Sequence, residues 1–226
     1  MKTLIYDCEI INCIPPKDGN FDPDLKYCQG WRDFENMGIS VIGCWTSWQD
    51  KIWIFRGNNL SSFQKLVNEA ELIVGFNSIA FDDNLCKANG ISIKTHYDLL
   101  QEVWWAAGMP RQYTYKKTRP GYSLNELAKT NLGKEKSGEG SLAPVDWQQG
   151  KYWKVIRYCT DNILITKAIW QKRSRLKDPT FSDRVQNGKY YIEEKFLKLR
   201  EPWETLETRH EIEIILKGTE NIIIPF

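Results

Sequence analysis

The first third of the chain alternates short apolar runs with polar turns, a pattern typical of β-strands. It predicts strands at residues 2–8, 38–45, 51–57 and 71–76. A short polar turn separates 38–45 from 51–57, which predicts a hairpin. Residues 14–37 are rich in Pro, Gly, Asp and Asn, and they are expected to form a long loop.

The apolar spacing then changes to that of helices. Two capping boxes, Ser61 with Gln64 and Ser123 with Glu126, are predicted to begin helices. Further predictions are a helix at 80–90, a short strand or loop leading into a helix at 96–108, a Gly-rich connection at 133–150 and a long helix at 150–174. Strands followed by helices in this order predict an α/β layer with an antiparallel edge. We expect one domain at residues 1–175 and an extension of unknown role at 176–226.

Composition narrows the function classes. The 226 residues carry a net charge of only +2, so any site for a polyanion must be a local patch. Six cysteines without a C-x-x-C pair, together with only two His, argue against a zinc cage and predict free, mostly buried thiols. The N-terminus turns acidic early and is not typical of a signal peptide, and no apolar run reaches membrane-spanning length. We therefore expect cytoplasmic localisation and no membrane partner.

The sequence Asp7-Cys8-Glu9 ends the first predicted strand. Residues two apart in a strand project from the same face, so the two carboxylates should lie together. They would repel each other unless a cation lay between them. The alternative is a solvated strand edge with two acids.

The sequence Asn77-Ser-Ile-Ala-Phe81-Asp82 follows the strand predicted at 71–76. It places Asp82 on the first turn of a helix, where it could be a metal ligand. An acid there is equally explained by the favourable helix dipole.

In the long helix, Tyr158 and Asn162 are four residues apart and share a face. The helical period predicts a core stripe made of Ile156, Cys159, Ile163, Thr166 and Trp170. Asn162 should lie beside that stripe. Asp161 should lie opposite it, as a solvated charge.

Together, Asp7-x-Glu9, Asn77-x3-Phe81-Asp82 and Tyr158-x3-Asn162 resemble the three motifs of the DEDD 3′–5′ exonucleases, which have a ribonuclease H-like fold. The third motif is most similar to that of the tyrosine subclass. The order of segments is also similar to the proofreading domains of family A DNA polymerases. The resemblance covers roughly residues 1–175 and departs from the family at Asn162, where a carboxylate is expected.

The resemblance implies a mixed sheet, with an antiparallel edge hairpin and parallel strands, flanked by helices. It also implies two divalent cations, Mg²⁺ or Mn²⁺, held by Asp7, Glu9, Asp82 and position 162. Tyr158 would orient the attacking water. Asn77 could help to position the 3′ end or could only cap the helix. Phe81 is a further candidate for nucleic-acid binding and could also wedge against the core.

Asn162 can offer a carbonyl oxygen but no charge, so the resemblance implies an inactivated enzyme. Three explanations stay open at this point. The substitution could be engineered, the chain could be a natural pseudo-exonuclease, or a rotated helix could bring Asp161 into the site.

The loop at 111–122 alternates cations with aromatic rings, an arrangement that suits single-stranded nucleic acid but also an ordinary solvated loop. Its candidate binding residues are Tyr113, Tyr115, Lys116, Lys117 and Arg119. The expected partner is single-stranded DNA or a DNA 3′ end. RNA remains an alternative, and a phage-encoded enzyme in a bacterial host would fit. The competing hypotheses are a non-catalytic nucleic-acid-binding module and a pure interaction domain on the same fold.

Overall fold

The computed structural model describes residues 1–181, 184–186, 189–191 and 194–202. Its centre is a five-stranded mixed sheet. The strands of this sheet are β1 (Thr3–Ile10), β2 (Ile39–Thr46), β3 (Lys51–Phe55), β4 (Leu72–Gly75) and β5 (Tyr97–Asp98). Their spatial order is β3-β2-β1-β4-β5.

Both kinds of strand pairing occur in this sheet. The strands β1, β2 and β3 pair antiparallel, with β2 and β3 forming the edge hairpin. The strand β4 runs parallel to β1, and β5 runs parallel to β4. The predicted mixed sheet, with an antiparallel edge hairpin and parallel strands, is therefore confirmed.

Seven α-helices surround or cap the sheet in the described part of the chain. They are α1 (Phe34–Met37), α2 (Leu60–Glu69), α3 (Asp82–Ala88), α4 (Leu99–Ala106), α5 (Leu124–Leu132), α6 (Ala143–Gln148) and α7 (Tyr152–Gln171). Beyond α7 lie the two-stranded pairs β6 (Leu176–Lys177) with β9 (Phe196–Leu197) and β7 (Arg184–Gln186) with β8 (Lys189–Tyr191).

The capping-box predictions had different outcomes. Ser123 and Glu126 form the predicted box at the start of α5. The box at Ser61 and Gln64 is wrong, because α2 begins one residue before Ser61 and Gln64 instead bonds Asn68 and Ser92. A turn of 3-10 helix at Gly57–Asn59 leads directly into α2, so the helix begins nearer the N-terminus than predicted.

Two connections contain more helix than the sequence predicted. The stretch 14–37 ends in the short helix α1, and the Gly-rich stretch 133–150 contains α6. In α6, Pro144 occupies the first turn, where its missing N–H costs nothing.

The sheet separates two hydrophobic cores. One core contains Ile5, Val74, Leu99 and the inner face of α7, and the other contains Leu4, Tyr6, Phe63 and Leu85. Alternation along β1 sends successive side chains to opposite cores. All six cysteines are free and buried, as predicted.

A glycine allows α7 to lie close against the sheet. A Cβ at Gly43 would lie 2.4 Å from Ile163 Cδ1 and 2.9 Å from Cys159 Sγ. Gly43 is paired with Asp7 across β1 and β2. The close approach therefore occurs beside the first acidic motif.

Several residues beyond position 175 join the main core. Leu176, Leu197 and Leu199 are buried in it, and the Tyr97 hydroxyl donates to the carbonyl of Arg200. The proposed division at residue 175 stays a prediction. All of 203–226, including the apolar pieces near the C-terminus, lies outside the described residues.

Candidate active site

The end of β1 places two carboxylates on the face of the sheet that α7 covers. Asp7 is partly buried and Glu9 is 6% exposed. Cys8, between them, points into the opposite core. Asp7, Glu9 and the buried Cys159 each offer a ligand atom, and those atoms lie within 4.8 Å of one another.

The helix α7 adds an amide to this pair. Asn162 is 3% exposed, and its Nδ2 donates to Asp7 Oδ2 at 3.1 Å and to Glu9 Oε1 at 3.3 Å. Asp161, one residue earlier, is only partly buried. Asn162 thus faces the two acids, on the face of α7 that the helical period indicated.

The buried face of α7 differs somewhat from the predicted stripe. Cys159, Ile163, Thr166 and Trp170 are buried as expected, but Ile156 is only partly so. The face also includes Val155, Tyr158, Asn162, Ile165 and Ile169. Asn162 is therefore closer to the middle of the buried face than the sequence suggested.

The first turn of α3 brings in the third carboxylate. Asp82 is 6% exposed, and its Oδ1 accepts a hydrogen bond from the backbone N–H of Cys8 at 3.0 Å. Cys8 lies between Asp7 and Glu9 in β1. One hydrogen bond therefore connects the first motif to the second, across 74 residues of sequence.

Tyr158, one turn before Asn162 on α7, completes the motif residues at this site. It is 8% exposed, and the glycine-containing loop before α6 packs on its ring and hydroxyl. Lys136 Nζ lies 4.8 Å from the centre of the ring. Lys136 was missed by the sequence analysis, because no pattern in the Gly-rich loop distinguishes it from an ordinary solvated Lys such as Lys134.

Burial and mutual repulsion change the acidity of the cluster. Burial raises the pKa of Asp7, while Asn162 and the cation of Lys136 partly oppose the rise. Burial, together with the charge of Asp7, holds the pKa of Glu9 and that of Asp82 well above their usual values. Each group would ionise more readily if a cation were placed among them.

The donor set fits a hard divalent cation. Mg²⁺ and Mn²⁺ prefer oxygen ligands, and this cluster offers carboxylate oxygens on two neighbouring strand positions and one helix turn. Among the described residues, the Asn162 Oδ1 atom is buried and has no hydrogen-bond partner. A buried carbonyl oxygen without a partner usually has a missing ligand or water. The residues present therefore fit a metal site, with Asn162 as a neutral oxygen donor.

Asp98 supports the loop that carries the second motif, and it was also missed as a site residue. It caps the N-terminus of α4 through the N–H groups of Leu100 and Gln101. It also accepts the N–H of Asn77 at 2.9 Å and that of Ile79 at 3.1 Å. The signal in the sequence was an Asp directly before an apolar helical run, which marks a cap but not its second set of partners.

The remaining residues of the second motif surround the turn before α3. Asn77 is exposed and has a positive φ of 63°. Phe81 precedes Asp82 directly, and its ring packs edge-on against Trp31 at 6.2 Å and Phe34 at 5.7 Å.

The basic aromatic loop has a mixed character. Tyr113 and Tyr115 are 70% and 75% exposed, and Lys116 Nζ lies 5.5 Å from the Tyr115 ring. Arg119 is bound to the end of α4, where its guanidinium donates to the carbonyl of Ala107. The contacts of this loop run towards α4, so its binding role stays a prediction.

Comparison with known proteins finds a similar structure but no similar sequence family. No protein-family model and no curated protein sequence matches the chain. Among solved structures, it is similar to the family B DNA polymerase from the hyperthermophilic archaeon Pyrobaculum calidifontis, with a TM-score of 0.50 and 17% identity. The match covers 76% of this chain and 24% of the polymerase, so the chain spans about a quarter of that protein's length.

The fold is ribonuclease H-like: a five-stranded mixed sheet flanked by helices. Its carboxylates Asp7 and Glu9 lie near the end of the first strand. The matching structure belongs to a family B polymerase. The predicted similarity to family A polymerases and to the tyrosine subclass therefore stays a prediction. No helix in the described part of the chain is long and apolar enough to span a membrane.

Proposed function

We propose that the cluster of Asp7, Glu9 and Asp82 is the site of a metal-dependent 3′–5′ exonuclease acting on DNA ends, held by Asn162 in a form of low activity. The observation that carries the proposal is the Asn162 amide, which donates to Asp7 and Glu9 together. In the proposed two-metal site, position 162 would be the place of the fourth carboxylate.

A structural role alone explains the cluster poorly. Buried acids beside one another destabilise a fold unless a cation or strong donors compensate them. A purely structural site would be more stable with apolar side chains of similar size. The placement of Asp7 and Glu9 together beneath α7, with Asp82 bonded to the strand between them, supports a cation-binding function.

Asp7, Glu9 and Asp82 would hold two Mg²⁺ or Mn²⁺ ions, with Asn162 giving only its carbonyl oxygen. Such ions, when bound, lower the pKa of water and stabilise the oxygen that leaves phosphorus. Hydrolysis would form a bond from water oxygen to phosphorus and break the bond to the 3′ oxygen. It would release a nucleoside 5′-monophosphate and leave a 3′ hydroxyl.

The chain's own side chains would orient these groups. The Tyr158 hydroxyl would hold the attacking water by a hydrogen bond. Lys136, against the Tyr158 ring, would attract a phosphate oxygen of the terminal nucleotide. Asp98 would fix the turn from Asn77 to Ile79 and, through it, the position of Asp82.

A second candidate function has its own supporting observation. The Asn162 amide already satisfies both acids without a cation, so the same surface could bind nucleic acid without cleaving it. The two candidates differ in what a carboxylate at position 162 would do.

The test is cleavage of a 5′-labelled single-stranded oligonucleotide with Mn²⁺, comparing the unsubstituted chain with Asn162→Asp. We expect Asn162→Asp to cleave faster by about a hundredfold, from roughly 3 kcal/mol of transition-state stabilisation, and to give a ladder from the 3′ end. Asp161→Ala is the matched control and should change little. The double variant Asp7→Ala/Asn162→Asp should be inactive, which excludes a contaminating nuclease.

The outcomes separate the candidates. An Asn162→Asp protein that binds 3′ ends but cleaves no faster than the unsubstituted chain supports the binding module. Running the assay in parallel with an RNA strand of the same sequence decides between DNA and RNA.

A further inference from the structure

Two grooves meet on the N-terminal turns of α7. The inner groove, about 420 Å³, is lined by Tyr158, Arg157 and Lys154 on α7 and by the loop leading into α6. The outer groove, about 620 Å³, is lined by residues 150–154 with Arg56 and Ile156. Lys154 lines both grooves, so the two grooves adjoin at this residue, and the inner one reaches Tyr158 of the proposed active site.

The outer groove has one sign of charge. Its lining contains Arg56, Lys151 and Lys154 and, among the described residues, no acidic side chain. The acids lie in the inner groove, where Asp146 pairs with Lys151 at 3.4 Å and Lys154 at 3.7 Å. Both Lys side chains are exposed and Asp146 is half-buried, so these pairs are weak enough to be exchanged for contacts with phosphate.

The same surface carries two exposed aromatic rings. Trp153 is 75% exposed, and Tyr152 is 45% exposed and packs on Trp147 with the ring centres 4.6 Å apart. Arg157 is exposed one helical turn after Trp153, on the same side of α7. Exposed rings interleaved with cations are the arrangement by which proteins hold an unpaired strand, with bases on rings and phosphates on cations.

The distance along the helix suits such a strand. Trp153 lies five residues before Tyr158, which is about 7.5 Å along the helix axis. A strand whose 3′ end lies at Tyr158 would therefore reach Trp153 within its first few nucleotides.

We propose that the α7 surface, formed by Arg56, Lys151, Trp153, Lys154 and Arg157, binds the single strand on the 5′ side of its terminal nucleotide. One base stacks on Trp153, and the cations hold the neighbouring phosphates. This proposal rests on the proposed function and gives the bound strand a direction. The strand enters over the outer groove, passes along the inner groove and ends at the carboxylates.

The first experiment measures binding by fluorescence anisotropy of 5′-labelled oligothymidylates, from about two to about ten nucleotides, with EDTA present to prevent cleavage. Trp153→Ala should bind the longer strands about tenfold more weakly and the dinucleotide as well as the unsubstituted chain does. Phe21→Ala, which removes another exposed aromatic ring outside both grooves, is the control and should not change binding at any length.

A second experiment locates the stacked base. A single abasic site is moved along the strand, and affinity is measured for the unsubstituted chain and for Trp153→Ala. Loss of the base at one position near the 3′ end should weaken binding to the unsubstituted chain about tenfold. The same loss should leave binding to Trp153→Ala unchanged. Arg157→Glu should reduce the slope of affinity against salt by about one.

The results distinguish failure of this surface from failure of the site. If Trp153→Ala binds every length normally, or if no abasic position depends on Trp153, the strand does not follow α7 and the surface serves another partner, such as a protein. Cleavage of a trinucleotide by Asn162→Asp in the same preparation shows that the site itself works. If binding depends on strand length through Trp153 but no such cleavage occurs, the proposed binding surface is supported and the proposed hydrolysis is overturned.

Discussion

The backbone N–H of Cys8 donates to Asp82 Oδ1 at 3.0 Å. This bond fixes Asp82, on the first turn of α3, against the strand that carries Asp7 and Glu9. A side chain used in this way cannot move far, so the site is partly assembled before any ligand arrives. Such preorganisation is what electrostatic catalysis requires.

Asn162→Asp should make the stability of the protein depend on metal. The change removes the amide that donates to Asp7 and Glu9 and adds a third negative charge beside them. In EDTA we expect a loss of about 2 to 4 kcal/mol, because buried charges would be left unpaired. Mn²⁺ should restore most of it. Thermal melts with and without Mn²⁺ check this, with Asp161→Ala as the control. If Asn162→Asp is as stable in EDTA as the unsubstituted chain, the expected dependence of stability on metal is contradicted.

Gly43→Ala should disturb the site by moving α7 away from the sheet. The added methyl would meet Ile163 and Cys159, which are held in a packed core. We expect a loss of about 1 to 3 kcal/mol in urea unfolding and weaker Mn²⁺ binding. Ser40→Ala, on the same strand, is the control. Among the described residues its buried hydroxyl has no hydrogen-bond partner, so its removal should cost little.

Asp98 should contribute a pH-dependent part of the stability. Burial raises its pKa to about 6, although four backbone N–H groups donate to it. Its pKa in the unfolded chain is about 4, so between pH 4 and 6 the folded state binds more protons than the unfolded state. Stability from this group is therefore greatest below about pH 4 and falls as pH rises towards 6, by at most roughly 3 kcal/mol.

The measurement is urea unfolding at several pH values for the unsubstituted chain and for Asp98→Asn. The free energy of unfolding of the variant should lack the fall between pH 4 and 6 that is due to Asp98. It should also be less stable overall, because its amide nitrogen faces the N–H of Ile79, whose acceptor is Asp98 Oδ2. Equal pH slopes for the two proteins would show that Asp98 does not titrate in this range.

Lys136→Ala should weaken catalysis more than folding. Lys136 lies over the Tyr158 ring and opposes the rise in pKa of Asp7 and Glu9. In the Asn162→Asp background we expect a loss of cleavage rate of about 10- to 100-fold, since one cation near the scissile phosphate is removed. Lys134→Ala, an exposed Lys in the same loop, is the matched control. Unchanged cleavage by Lys136→Ala would exclude a role for this cation.

Charge reversal tests the loop at 111–122. The double change Lys116→Glu/Lys117→Glu should lower affinity for single-stranded DNA about tenfold at low salt and reduce the salt dependence. Lys2→Glu/Lys65→Glu makes the same change of charge at two exposed Lys far from the loop in sequence, and it serves as the control. If both double variants weaken binding equally, the loop acts only through net charge.

The sequence determined much of the local structure of this protein. Short apolar runs between polar turns predicted the strands, and strand geometry put Asp7 and Glu9 on one face. The helical period put Tyr158 and Asn162 together, with Asp161 turned away from the acids. These features are local, because they follow from the geometry of one strand or one helix.

The tertiary structure alone decided which distant groups meet. The bond from Cys8 to Asp82, the position of Lys136 over Tyr158 and the second role of Asp98 each join residues that no local pattern connects. The start of α2 differs from the prediction because the 3-10 turn at Gly57–Asn59 leads directly into the helix and leaves Ser61 inside it. Gly43 is the clearest example. A glycine inside a strand predicts nothing from the sequence alone, and its role follows only from the packing of α7 onto it. That close approach places Asn162 within hydrogen-bonding distance of Asp7.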